Sequence, residues 1–355
     1  MVKANIVYWY GLEDMPKDGG GLRALAWYEA LTHLGFETQL CPLRDTPNAK
    51  SRDGWLRGIK KRLIPMPLKS SLPELPKSDI NVVTVPSVFG SAASTVQPET
   101  LVFDWMDRWS VNSRTMGRAS WMSRPGGLVQ SLFWEVQERR LAGLPAVNVF
   151  AGYEDMIKAG GDSAPRYWIP TPITAVRSTR LKPTSTTMRV GFIANFAYPP
   201  NIMSLQDFFR RYGDSFHARG IEVVIAGFGS EIVRNWGVNA KVLGRVESLA
   251  EFYDSLDAAL VPIDHGGGIK AKAVEAMAHG VPVFGTSHVA SGFSPSWAAY
   301  IGEVEWLLED SPRFPPVPVH ADFEERFSQT AFNETVSDVL SQINRTGCQD
   351  KNKEL

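Results

Sequence analysis

Lys272 and Glu275 stand three residues apart, just behind Gly266-Gly267-Gly268 and Lys270, and this spacing makes the segment the most chemically pointed part of the chain. Residues 257–286, DAALVPIDHGGGIKAKAVEAMAHGVPVFGT, read as a strand (258–263), a glycine loop, a helix carrying Lys270, Lys272 and Glu275, a Gly-Val-Pro stop and a second strand (281–284). Glycines let backbone N–H groups approach an anion closely. The helix behind them presents unpaired donors and the positive end of its dipole. A cation for phosphate and a carboxylate that accepts hydroxyl hydrogen bonds, three apart on one helix face, address one ligand. Phosphate and ribose are the natural pair. The residues alone equally admit a plain reading, a solvated i,i+3 ion pair beside a tight turn, because a glycine-rich strand-to-helix turn is a weak motif.

Other candidates sit at similar places. Gly20 and Gly21 lie in the stretch from Lys17 to Arg23, between the first expected strand and the first expected helix. Ligands in open α/β sheets bind at the carboxyl ends of strands, although three glycines also simply end a strand. In LVFDWMDRWS, residues 101–110, Asp104 and Asp107 follow a strand. A carboxylate there can accept a proton from an acceptor hydroxyl, or it can merely cap a helix or turn. Of the two, Asp107 is the preferred catalytic candidate. No nucleophilic cysteine, Ser/His/Asp set or metal-ligand cluster competes with them, and no metal or cofactor is expected.

The elements that must position these residues alternate between short β-type runs and helical patterns, the mark of βαβ units and parallel sheets. Strands are expected at 5–10, 36–41, 80–85, 100–103 and 146–150, with a helix over 22–34. A second series starts at 188–193 and continues with a helix over 202–212, strands at 221–226 and 240–243, and a helix over 249–255. Ser248 with Glu251 three residues on is a capping box for that last helix. The chain of 355 residues therefore divides into two Rossmann-like halves. The Pro-rich stretch WIPTPI (168–173) and KPTSTT (182–187) connect them. Domains are set at 1–172, at 173–320, and at 321–355 for a helix with the apolar spacing of Phe323, Phe327, Phe332, Val336, Val339, Leu340 and Ile343, followed by a polar tail.

Composition narrows the class. Hydrophobic content of 44% and charged content of 21% describe a soluble globular protein, and a net charge of -1 argues against nucleic acid as a partner. No apolar run reaches the roughly 20 residues that span a bilayer, and no signal-peptide pattern opens the chain, so a cytoplasmic protein is expected. Cys41 and Cys348 are too few for a disulfide framework.

Glu275-Ala276-Met277-Ala278-His279-Gly280-Val281-Pro282-Val283, behind its glycine loop, resembles the donor-nucleotide motif of two-domain (GT-B) glycosyltransferases, most closely the group 1 or family 4 set. The resemblance implies two Rossmann-like domains facing each other across a cleft, a nucleoside diphosphate sugar as donor, and Glu275 on its ribose hydroxyls. It implies that Gly20 and Gly21 approach the donor diphosphate, that Asn195 in GFIANFAYPPN (191–201) belongs to the opening loop of the second domain, and that Arg245 in LGRVESL lies near the base. It further implies terminal helices that cross back to the first domain, metal-independent transfer with retention of configuration, and an acceptor of the glycan, lipid-linked sugar or natural-product type.

Two departures stand out. Relatives carry an Arg and a Lys near the 191–201 segment, yet no basic residue occurs from Val190 to Phe209, so Lys270, Lys272 and Arg245 are expected to supply that charge. The family's Glu-x7-Glu pattern has Gly267 in place of its first Glu, which leaves Gly267 and Gly268 to contact the ligand through backbone N–H groups. A sugar-nucleotide epimerase of the same architecture and a non-catalytic nucleotide-sugar-binding subunit are the alternatives.

One local charge excess remains. Residues 50–69 hold Lys50, Arg52, Arg57, Lys60, Lys61, Arg62 and Lys69 against Asp53, with Trp55, Leu56, Ile59, Leu63 and Ile64 interleaved. Such a segment suits an anionic membrane surface, which would make the protein peripheral on the inner face, and it equally suits a solvated basic helix. Trp105, Trp109, Trp121 and Trp134 offer stacking surface for an acceptor, or core.

Overall fold

The computed structural model describes residues 2–16, 18–43, 72, 74–118, 124–160, 164–175 and 187–351. The basic segment 50–69, Lys17 and Trp121 lie outside the described residues. The chain forms two units, Met1–Pro172 with Gln329–Leu355, and Ile173–Ser328.

Unit 1 runs β1 (Lys3–Tyr8), α1 (Gly19–His33), β2 (Glu37–Pro42), β3 (Ile80–Val83), α2 (Phe89–Thr95), β4 (Leu101–Trp105), α3 (Trp109–Arg118), α4 (Arg124–Ala142), β5 (Val147–Phe150), α5 (Tyr153–Lys158) and β6 (Arg166–Trp168). Its six strands are parallel in the order β2-β1-β3-β4-β5-β6. Strands β3, β4 and β5 are buried along their whole length, which is why their sequences are mostly apolar rather than alternating, interrupted by the buried Asn81, Asp104 and Asn148.

Unit 2 runs β7 (Arg189–Ile193), α6 (Pro199–Ala218), β8 (Glu222–Ala226), β9 (Lys241–Gly244), α7 (Leu249–Asp254), β10 (Ala258–Val261), α8 (Ala271–Ala278), β11 (Val283–Gly285), α9 (Ser287–Ser291), α10 (Pro295–Ala298), β12 (Ile301–Glu303) and α11 (His320–Phe327). These six strands are also parallel, in the order β12-β11-β10-β7-β8-β9. Strand order reverses direction between β10 and β7, so the loops leaving those two strands border a crevice at the carboxyl edge of the sheet.

The last helix, α12 (Gln329–Lys351), belongs to unit 1. Its Phe332, Val336, Val339, Leu340 and Ile343 pack with Trp27, Ala30 and Leu31 of α1 over one face of the first sheet. The opposite face is filled by Phe89, Phe103, Trp105, Phe150 and Leu141, with Phe89 and Phe103 stacked at 4.2 Å. The apolar spacing from Phe323 to Ile343 suggests one helix, but the chain breaks it at Ser328, which is extended (φ -75, ψ 163) and leaves α11 on unit 2.

The expected loop at Gly20 and Gly21 is the first turn of α1. Asp18 caps this helix by accepting a hydrogen bond from the Gly21 N–H at 2.9 Å, so the helix begins at Gly19 rather than Leu22. A Cβ on Gly21 would lie 1.9 Å from the Pro16 carbonyl oxygen, and one on Gly20 would lie 2.7 Å from the Tyr8 hydroxyl. The two glycines are there because the preceding chain passes directly over the helix start.

One turn further along α1, Arg23 is buried and ion-paired with Asp104 at 2.6 Å. Arg23 also donates to the Ile169 carbonyl at 2.7 Å, while Trp27 Nε1 donates to Asp104 at 3.0 Å. The ring of Phe332 lies 5.9 Å from the guanidinium. Asp104, expected as a possible proton acceptor for chemistry, is therefore withdrawn from solvent and saturated by Arg23 and Trp27, which corrects that expectation. Trp105 and Trp134 are likewise buried in the core of the unit and are not acceptor surface. Asp104→Ala leaves a buried guanidinium without its counter-charge, and it should cost about 3–5 kcal/mol of unit 1 stability, read from denaturant unfolding.

Candidate functional site

The loop that leaves β10 is built around one ammonium group. Lys270 is buried, and its Nζ donates to the carbonyl oxygens of Gly266, Gly267 and Gly268 at 2.9, 2.7 and 3.2 Å. Gly266 (φ +84) and Gly268 (φ +68) adopt the left-handed conformation that turns the chain around this group. From the end of β11, Thr286 Oγ1 donates to the Ile263 carbonyl at 2.6 Å, and His288 Nε2 lies 2.7 Å from the Gly266 carbonyl oxygen. Lys270 was expected to face a phosphate. Its Nζ instead holds the loop closed.

Lys272 and Glu275 stand on α8 directly behind this loop, both half-buried. Burial pushes the Lys272 ammonium below the ordinary lysine value, opposed by the Glu275 carboxylate. Burial also pushes Glu275 above the ordinary carboxylate value, opposed by Lys272 and by the Tyr253 hydroxyl, which donates to Glu275 Oε2 at 3.4 Å. Behind Glu275, the buried Tyr253 ring stacks on His279 at 4.7 Å. Both members of the pair are thus shifted toward their neutral forms by burial, as is frequent among groups at functional sites.

The other expected residues of unit 2 sit on loops leaving neighbouring strands. Asn195, after β7, is exposed; its side chain accepts from Ala197 N at 2.9 Å, and its carbonyl accepts from Asn201 Nδ2 at 2.8 Å. Arg245, after β9, is exposed. Asn195 and the glycine loop border the crevice between β7 and β10, whereas Arg245 leaves the outer strand of the same edge. Phe228, exposed on the loop after β8, adds an aromatic face to that edge. Tyr253, Thr286, His288 and Phe228 are the residues that motif reading misses. Thr286 alone carries a sequence cue, since it stands as an N-cap ahead of α9 and accepts from Val289 N at 3.3 Å.

A cavity of about 280 Å³ opens beside the same loop, lined by Asp264, Thr286 and Ser287 and by Asp207, Arg211 and Tyr212 of α6. Arg211 lies 3.8 Å from Asp264, and Glu303 and Glu305 add further carboxylates, so the lining suits hydroxyl groups better than phosphate.

In unit 1, Asp107 is half-buried after β4 and accepts a hydrogen bond from Asn112 of α3. The next residue, Arg108, ion-pairs with the buried Glu138 of α4 at 3.0 Å, and Ser110 donates to Glu138 through both its N–H (2.8 Å) and its hydroxyl (2.6 Å). Along the chain Asp107 thus stands between two residues held in internal ion pairs, Asp104 with Arg23 and Arg108 with Glu138. Gly20, Gly21 and Asp107 belong to unit 1, and Asn195, Arg245, Gly267, Gly268, Lys270, Lys272 and Glu275 belong to unit 2.

Comparison with known proteins bears on the second unit first. Residues 187–309 match the family model described as glycosyl transferases group 1, and the matched stretch contains Asn195, Arg245, the glycine loop, Lys272 and Glu275. Sequence comparison with curated proteins yields no match. Among solved structures the chain is similar to sucrose-phosphate synthase from Thermosynechococcus elongatus (TM-score 0.65, 12% identity, covering 98% of this chain and 100% of that one). It is also similar to a glycosyltransferase from Rickettsia africae (TM-score 0.58, 11% identity, 96% and 98% covered). A third likeness is to Anabaena HepE in complex with UDP-glucose (TM-score 0.55, 14% identity, 96% and 100% covered). At these identities the likeness establishes the fold.

The raised Glu275 carboxyl carries a consequence for stability. A folded-state value above the unfolded one gives stability that is fully present below the ordinary carboxylate range and is lost as pH rises through the folded value. Glu275→Gln should therefore raise the thermal midpoint of the ligand-free protein at neutral pH, with the difference from wild type vanishing in acid. Thermal unfolding followed across pH checks this, and a lower midpoint for the variant at neutral pH would contradict the assigned burial cost.

Proposed function

We propose that this chain, which has the GT-B glycosyltransferase fold and a group 1 glycosyltransferase domain as its second unit, transfers a glycosyl group from a nucleoside diphosphate sugar to an acceptor hydroxyl. The observation that carries this reading is the pair Lys272 and Glu275, desolvated on one helix behind a fixed glycine loop, inside the segment that matches the family model. Lys272 neutralises the diphosphate, and Glu275 accepts hydrogen bonds from the ribose hydroxyls. The N–H groups at the start of α8 add the positive end of a helix dipole. Arg245 and Phe228 offer a cation and a stacking face for the base.

The reaction breaks the bond between the anomeric carbon and the diphosphate oxygen, forms one to the acceptor oxygen, and moves the acceptor proton to a base. Leaving-group charge is stabilised by Lys272 and by backbone dipoles. Asp107 is the carboxylate we assign to the acceptor hydroxyl, and transfer with retention of configuration, without a metal ion, is the stereochemical and chemical course we infer. HepE is solved with UDP and with UDP-glucose, which supports a nucleoside diphosphate sugar as the class of donor to try first. The basic segment 50–69 is retained as a site for an anionic membrane surface on the cytoplasmic side, which would place a lipid-linked acceptor within reach.

Screening nucleoside diphosphates and their sugars for thermal stabilisation tests the donor, since a ligand at about 100 times its dissociation constant adds roughly 2.7 kcal/mol. Glu275→Ala should weaken the nucleotide sugar by about 1.5–3 kcal/mol, the range of charge-assisted hydrogen bonds. Lys272→Ala should spare the nucleoside and weaken the diphosphate; equal losses for both would remove its phosphate role. Asp107→Asn should lower turnover while donor binding stays at the wild-type level, and a wild-type rate would return Asp107 to a turn-capping role.

A further inference from the structure

The hydroxyl of Tyr253 is the polar end of a side chain that lies inside unit 2. Tyr253 is 1% exposed, the last residue but one of α7, and its ring stacks on His279 with the centroids 4.7 Å apart. Phe252 beside it meets the same ring edge-on at 5.3 Å. Packing alone would be served as well by phenylalanine. A buried hydroxyl has to find a partner, because leaving it unpaired forfeits its bonds to water. The partner here is Glu275, whose Oε2 accepts from the Tyr253 hydroxyl at 3.4 Å.

Glu275 is only half-buried, so a ligand can reach the carboxylate while the tyrosine behind it stays out of reach. An ionised carboxylate has about four acceptor positions on its two oxygens, and Tyr253 takes one of them on Oε2. The remaining positions are enough for two hydroxyls. A glutamate side chain loses rotamer freedom when it engages a ligand, and a hydrogen bond from a packed, buried ring orients it beforehand. The same contact ties two elements together. Helix α7 starts at the Ser248 cap, three residues after Arg245, and α8 carries Glu275 and ends at His279, whose N–H donates to the Glu275 carbonyl at 3.1 Å. Tyr253 therefore joins the helix that follows the Arg245 loop to the helix that bears the carboxylate.

We infer that Tyr253 is a positioning residue whose buried hydroxyl holds the Glu275 carboxylate in the orientation that accepts both hydroxyls of a ribose, and so sets a preference for ribonucleotides over their deoxy counterparts. This rests on the donor reading above, in which Glu275 meets the ribose. Calorimetric titration of the full chain with UDP and with GDP, each beside its 2′,3′-dideoxy form, tests it. The wild type should bind UDP or GDP at least about tenfold more tightly than the dideoxy form. Tyr253→Phe keeps the ring and removes the oxygen; it should weaken the ribonucleotide about fivefold and leave the dideoxy nucleotide at its wild-type affinity. In a Glu275→Ala background the same change should alter neither affinity, because the hydroxyl then has no carboxylate to hold. A Tyr253→Phe variant that keeps the full ribose preference overturns the inference. So does one that weakens both nucleotides alike, or that loses as much again in the Glu275→Ala background, since either result means a packing role. The donor reading fails separately. If the wild type binds neither UDP nor GDP, or if Glu275→Ala leaves the ribose preference intact, both readings fall; if Glu275→Ala abolishes the preference and Tyr253→Phe does not, the role of Tyr253 falls alone.

Discussion

A guanidinium and a carboxylate withdrawn from water meet where the parts of unit 1 converge, and the placement of nearly everything else in that unit follows from satisfying them. Removing both charges from solvent costs several kcal/mol per ion, and their mutual attraction offsets this only with good geometry and with partners for the remaining atoms. The partners come from across the chain: Trp27 one turn along α1, the carbonyl of Ile169 after β6, and the face of Phe332 on α12. Arg23 reaches Asp104 from a helix that Asp18 caps, and Gly21 lets the start of that helix fit beneath Pro16 while Gly20 faces the Tyr8 hydroxyl. The pair works as an internal alignment device joining a helix, a strand, a returning segment and the last helix.

The same rule shapes the second unit with a different outcome. Lys270 is a buried cation, and three carbonyl oxygens of its own loop take the place of water. That arrangement uses up the charge of Lys270 and fixes the backbone in front of α8. Lys272 and Glu275 are not brought to rest in this way. Each is shifted toward its neutral form by burial, as groups at the edge of a parallel sheet often are where ligands bind, which is the ground for the proposed donor site. One lysine therefore shapes the loop, and the one two residues later is the lysine proposed to meet the donor.

Much of this was legible in the sequence, because alternation of apolar strands with helical spacing is a strong local signal. The expected strands, the Ser248 cap and the helix bearing Glu275 all appear where pattern reading puts them, within a few residues, whereas the three-residue edge strands β6 and β12 are too short for the pattern to show. What was not legible depended on contacts distant in sequence. Asp104 followed by Asp107 looks like a pair of catalytic acids until Arg23, 81 residues away, is seen to occupy the first. Lys270 and Lys272 are indistinguishable as letters; only the left-handed turn of Gly266 and Gly268 shows which ammonium folds inward. Apolar spacing ran straight through Ser328, since periodicity does not register an extended residue between two helices that bury their faces in different units.

The return of α12 to unit 1 sets an order on the making of the molecule. Chains emerge from the ribosome amino end first, and domains tend to fold as units as they appear. When residue 172 is free, the first sheet still lacks Phe332, Val336, Val339, Leu340 and Ile343, and Trp27 and Leu31 have nothing to close over them. Unit 2 is contiguous from Ile173 to Ser328, so its core is complete first. The half that is translated first is thus the half that finishes last. Until Phe332 to Ile343 of α12 arrive, the nascent protein presents an apolar sheet face to whatever chaperones attend it.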